Sequence, residues 1–159
     1  MSVSLSRRRL LRGQLDSRPH LDPPWSGSDF NDCCSRCDAC IKACPEQVLR
    51  RGDGGFPQMD FSQNGCSLCQ ACVQACPEPV FDLSRQAFDW RAQINTACLV
   101  NQGIHCQSCD DACEPRAIRF RPRLGQPPSP ELDTTACTGC GACLASCPAD
   151  AISLETPHG

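Results

Sequence analysis

The sequence contains no tyrosine, two methionines, two tryptophans and six phenylalanines in 159 residues. A core built mainly from large side chains is therefore excluded. The apolar fraction of 40% counts cysteine. Without it the fraction falls to about 29%, low for a chain that must fold around an ordinary core. No apolar run approaches the length needed to cross a bilayer, so no transmembrane segment is expected. There is no basic excess, since the formal net charge is −3, which disfavours nucleic acid as a partner. There is also no phosphate-binding loop, no paired-carboxylate setting and no Ser/His/Asp arrangement, so the chain is not expected to be an enzyme in its own right.

What is abundant is cysteine, 17 of the residues. In a short secreted chain that level would mean a disulfide scaffold. The count is odd, and no apolar export stretch opens the chain, so the pattern reads instead as metal-binding in a reduced compartment. Residues 34 to 45 read Cys-Ser-Arg-Cys-Asp-Ala-Cys-Ile-Lys-Ala-Cys-Pro. Three cysteines at two-residue gaps, a fourth after three residues and then proline form the bacterial ferredoxin ligand run for a [4Fe–4S] cluster. The run comprises Cys34, Cys37, Cys40 and Cys44. It returns at Cys66, Cys69, Cys72 and Cys76, and again at Cys137, Cys140, Cys143 and Cys147. A looser copy holds Cys98, Cys106, Cys109 and Cys113, with seven residues in its first gap and proline displaced to Pro115.

A cubane presents four iron corners, and cysteines at two-residue gaps on one loop reach three of them. In two-cluster ferredoxins the fourth cysteine ligates the other cluster. The expected sets are then Cys34, Cys37, Cys40 with Cys76; Cys66, Cys69, Cys72 with Cys44; Cys98, Cys106, Cys109 with Cys147; and Cys137, Cys140, Cys143 with Cys113. Three or four [4Fe–4S] clusters are expected. If Cys98 is no ligand, its cluster is three-iron or missing. Zinc, which also accepts four thiolates, is the competing occupant. With four clusters the total charge becomes roughly −11, and ligation supplies much of the folding free energy. Small residues between the ligands, such as Ala39, Ala71, Gly139 and Gly141, let backbone N–H groups approach the cluster sulfurs or simply make turns. Cys33 reads as a free thiol or as an alternative to Cys34. His105 reads as a loop residue, and Trp25 and Trp90 as packing residues.

The repeat is an internal duplication. An apolar pair follows each fourth cysteine: Val48/Leu49, Val80/Phe81, Ala117/Ile118 and Ala151/Ile152. This spacing predicts one short helical turn beyond that cysteine. Brief strands are expected in 56–61, 87–94, 117–121 and 151–154, with turns or linkers at 52–55 and 125–130. The fold class is α+β: two tandem ferredoxin-like modules over 30–93 and 94–155, a basic arm over 1–29 and a tail over 156–159. Within the arm, Ser6-Arg7-Arg8-Arg9-Leu10-Leu11-Arg12 looks like the start of a twin-arginine export signal. The polar, proline-broken stretch after it does not continue one. The arm reads as a basic tail, or as a docking segment in which Arg7, Arg8, Arg9 and Arg12 meet an acidic partner or a membrane face.

Beyond the cysteines, the chain carries Ser6-Arg7-Arg8, Pro23-Pro24-Trp25-Ser26-Gly27, Arg51-Gly52-Asp53-Gly54-Gly55-Phe56-Pro57 and the irregular group ending Cys113-Glu114-Pro115. In these, and over nearly all of its length, it resembles the NapF family of ferredoxin-type proteins from periplasmic nitrate reductase systems. The resemblance implies a cytoplasmic iron–sulfur protein. It would contact the precursor of the catalytic subunit NapA and assist its maturation before export, supplying electrons or cluster components. The alternatives are a plain electron carrier between a redox donor and a reductase, and a zinc-bound interaction module.

Overall fold

The computed structural model describes residues 21–156. Within these residues five short helices span Phe30–Cys33 (α1), Ala39–Ala43 (α2), Ala71–Ala75 (α3), Ser108–Asp111 (α4) and Ala142–Ala145 (α5). Six strands span Leu49–Arg51 (β1), Pro57–Met59 (β2), Arg91–Ile94 (β3), Ile118–Arg123 (β4), Gln126–Leu132 (β5) and Ile152–Glu155 (β6). Each strand pairs with one other, antiparallel: β1 with β2, β3 with β6 and β4 with β5. Helices of four or five residues are not stable alone, so tertiary contacts hold them.

The two cysteine-rich halves repeat one plan. Each has a hairpin, β1–β2 or β4–β5, and a closing pair that brings its beginning beside its end. In the second half that pair is β3–β6, with Ile94 opposite Ile152. In the first half it is reduced to one bridge between Ser26 and Phe81. Residues 21–29, expected to belong to the arm, therefore pack into the first half. Trp25 is buried, its N–H donates to the Ala87 carbonyl at 2.9 Å, and Leu21 accepts from the Met59 N–H at 2.8 Å.

Two expectations about local structure are corrected. The helical turn lies before each fourth cysteine, not after it. After it comes a tight turn in which Gln47, Arg116 and Asp150 take φ of 54°, 53° and 47°, a left-handed conformation that ends any helix. The second half of the apolar pair then starts a strand, as Leu49, Ile118 and Ile152 do. The proline-rich stretch 125–130 is not a linker, since Gln126–Leu132 is a strand. The Asp133 N–H donates to the Ala117 carbonyl at 2.8 Å, and Phe120 lies opposite Pro130. Bonded and non-bonded pairs alternate in an antiparallel ladder, so Pro128 and Pro130 fall where no N–H is needed. The loss of a donor there costs nothing.

Two apolar cores result. One holds Trp25, Val48, Leu49, Met59, Phe61 and Phe88 with Cys40 and Cys72. The other holds Ala92, Ile118 and Ile152 with Cys109 and Cys143. Leu144 and Leu154 pack against both. No polar or charged residue is buried among the described residues.

Candidate metal centres

The third cysteine of every run, Cys40, Cys72, Cys109 and Cys143, is buried on one of the short helices. Ahead of those helices the regular loops wind by a repeated device. The residues two and four places after the first cysteine have positive φ: Arg36 and Asp38 at 57° and 62°, Leu68 and Gln70 at 56° and 63°, and Gly139 and Gly141 both at 77°. Alternating the hand of the backbone in this way curls a loop so that successive N–H groups face one concavity, a geometry suited to anionic groups. Non-glycine residues hold that conformation at a cost of about 1–2 kcal/mol each.

Four voids follow, and each is lined by four cysteines from two segments. Cys34, Cys37, Cys40 and Cys76 line one. Cys66, Cys69, Cys72 and Cys44 line the next. Cys98, Cys106, Cys109 and Cys147 line a third, and Cys137, Cys140, Cys143 and Cys113 the last. These are the sets expected from crossed ligation. They are called the first to fourth quartets below, by the position of their leading cysteine. Cys98 joins its set despite the long gap, because a 3₁₀ turn at Leu99–Gln102 and a left-handed Gly103 take up the extra residues. Cys33 does not line the first void. It is exposed, with its Sγ 3.8 Å from the Asp29 carboxylate. His105 is exposed on its loop.

The donor set suits an iron–sulfur cluster. Every donor is a thiol, the remaining lining is mostly apolar, and each void lies in a wall of one half. A single zinc ion would draw its sulfurs to about 2.3 Å from one point. The four thiols of each set stand around a space that a polynuclear centre would fill. Burial pushes the Cys72 and Cys143 thiols up to about 12, and Cys40, Cys66 and Cys109 to about 11, with neighbouring cysteines adding to each shift. Exposed Cys37 goes the other way, lowered by the Ala39 N–H and the Ser35 side chain. Two fourth cysteines accept backbone bonds on sulfur, Cys113 from the Ala117 N–H at 3.2 Å and Cys147 from the Ala151 N–H at 3.3 Å. Such bonds stabilise negative charge on the cluster and raise its potential.

A 4Fe–4S dicluster domain model matches residues 33–80 and 103–151. The chain is 47% identical to the ferredoxin-type protein NapF of Escherichia coli K12, covering 99% of each. The chain belongs to the NapF family of ferredoxin-type proteins. It is 38% identical to the Haemophilus influenzae NapF, over 96% of the chain and 94% of that protein. The likeness extends to a methylamine utilization ferredoxin-type protein MauM of Methylobacillus flagellatus, at 32% over 84% of this chain and 68% of that one. This NapF-family chain is an iron–sulfur protein. Among its described residues no helix is long and apolar enough to cross a membrane.

Two features of the site were not read from the sequence. One is the bonding of N–H groups to the fourth-cysteine sulfurs; the apolar pair beyond that cysteine carried the signal, because Ala117 and Ala151 begin it. The other is the role of Trp25 in lining the second void beside Pro24 and Met59.

Proposed function

We propose that the sixteen void-lining cysteines hold four [4Fe–4S] clusters in two tandem ferredoxin-like modules. The protein then acts in the cytoplasm on the precursor of NapA, the catalytic subunit of periplasmic nitrate reductase, supplying electrons or cluster components during its maturation. The observation that carries the cluster reading is the all-thiol quartet drawn from two segments around each void. Membership of the NapF family supports the link to nitrate reductase.

When bound, such clusters supply one-electron transfer. The chain's own residues do the rest. Cys44, Cys76, Cys113 and Cys147 tie the two loops of each half together. Phe30 and Phe81 at the first void, Trp25 and Met59 at the second, Phe120 and Ile152 at the third, and Ile118 and Leu154 at the fourth keep water from the sulfurs. The Ala117 and Ala151 N–H groups set the charge held at their sulfurs. The role is that of a redox or assembly partner rather than a catalyst. The basic segment with Arg7, Arg8, Arg9 and Arg12 lies outside the described residues; removing residues 1–12 is expected to weaken binding to the NapA precursor while leaving iron content intact.

Anaerobic preparation is expected to give a brown protein with about sixteen iron and sixteen acid-labile sulfide per chain. A colourless zinc protein overturns the cluster reading. In cells lacking the protein, nitrate reductase assayed with an artificial electron donor is expected to be inactive because it is immature. Full activity in that assay overturns maturation in favour of a carrier, a reading favoured by the direct contact between ligand loops of the two halves.

A further inference from the structure

The quartets follow one order along the chain and another in space. The first and second meet where α2 packs on α3, with Cys40 and Cys72 in one core beside Val48, Phe61 and Phe88. The third and fourth meet where α4 packs on α5, with Cys109 and Cys143 in the other core. The linings of the first, second and third voids each stay within their own half.

The halves join elsewhere. The Cys66 N–H donates to the Cys140 carbonyl at 2.8 Å. Cys66 lines the second void and Cys140 the fourth. The backbones around this bond are in close contact. A Cβ on Gly65 would stand 2.6 Å from the Ala142 Cα, and one on Gly141 would stand 2.3 Å from the Phe61 ring.

We propose that the four quartets form one linear relay in the spatial order first, second, fourth, third, with the Cys66–Cys140 hydrogen bond as the junction where electrons cross between the halves. Electronic coupling falls steeply with the gap to be tunnelled. A path of covalent bonds closed by one short hydrogen bond couples better than a jump through solvent or loose side chains. Each crossing moves one electron and no atom: the side that gives it is oxidised by one unit and the side that takes it is reduced by one. The electrons come from an external one-electron reductant. The first and third quartets are then the two ends, where donor and acceptor exchange with the protein. Chain order would have placed the third quartet next to the second.

The proposal rests on the cluster reading above, and iron and sulfide content test that reading separately. The relay is tested by electron paramagnetic resonance on the dithionite-reduced holoprotein. The pair Cys76→Ser and Cys147→Ser disables the end quartets and is expected to keep the splitting that arises between neighbouring spins. The pair Cys44→Ser and Cys113→Ser disables the middle quartets and is expected to leave two simple signals without splitting. Splitting in the second protein, or its loss in the first with both middle clusters present by iron content, overturns the order. Should either double variant fail to fold, Gly65→Ala keeps all sixteen cysteines and wedges the junction. With iron content unchanged, its spectrum is expected to resolve into two independent pairs, and a spectrum identical to the wild type overturns the junction.

Discussion

The indole N–H of Trp90 donates to the main-chain carbonyl of Gly139 at 2.9 Å, so a residue between the halves holds the ligand loop that carries Cys137 and Cys140. The Trp90 ring stacks on Phe88 with centroids 4.6 Å apart. Trp90→Phe keeps an aromatic body but removes the donor, which leaves a half-buried carbonyl without its partner. The expected loss is about 1–2 kcal/mol, read as a lower urea midpoint of the anaerobic holoprotein with unchanged iron content.

Gly141 and Gly103 separate backbone strain from steric conflict. Both have positive φ, 77° and 79°. A Cβ at 141 meets the Phe61 ring, whereas one at 103 meets nothing within 4 Å. Gly103→Ala is expected to cost about 1 kcal/mol from conformation alone. Gly141→Ala adds an overpacking cost of about 1–3 kcal/mol. Thermal unfolding of the two proteins side by side checks the difference, and equal losses would refute it.

Gln70 holds a φ of 63° on an exposed loop. Gln70→Gly relieves the strain and is expected to be neutral or slightly stabilising. Gln70→Val, β-branched, is expected to lose about 1–2 kcal/mol. The reverse ranking in denaturant unfolding would show that the loop does not keep this conformation.

The crossed quartets predict what single cysteines do. Cys76→Ala is expected to lower iron by about four per chain, through loss of the first quartet, whose other members precede it by more than thirty residues. Cys33→Ala is expected to leave iron unchanged. Metal analysis of the two proteins tests both statements.

Loading the protein should release protons. Burial holds Cys72 and Cys143 near 12 and Cys40, Cys66 and Cys109 near 11, so these thiols are protonated at neutral pH and must ionise to bind metal. Reconstitution in weak buffer at pH 7 is expected to release protons in proportion to iron bound. The same shifts set the pH response of the metal-free fold. A folded pKa raised above the ordinary thiol value favours the folded state below about 9, and that advantage is lost as pH climbs from about 9 to 11–12. Circular dichroism of the metal-free chain checks it.

The sequence by itself determined the runs into which the cysteines fall, because thiols at fixed short gaps are a local property of the chain. The same holds for the burial of Val48, Leu49, Val80, Ala117, Ile118, Ala151 and Ile152, since an apolar pair so close to an inward cysteine turns toward the core; of the four pairs only Phe81 stays half-buried. It did not disclose that Pro128 and Pro130 sit in a strand, because whether a missing N–H matters depends on which ladder positions face a partner. Nor did it disclose that residues 21–29 close the first half. Gly139 and Gly141 could be read only as small residues near a cluster. The tertiary structure gave them a second reason: Phe61, Phe88 and Trp90 press against that loop and leave no room for a Cβ. The contact between Cys66 and Cys140, more than seventy residues apart in the chain, was likewise decided only by how the two halves pack, since no local spacing records which loops meet.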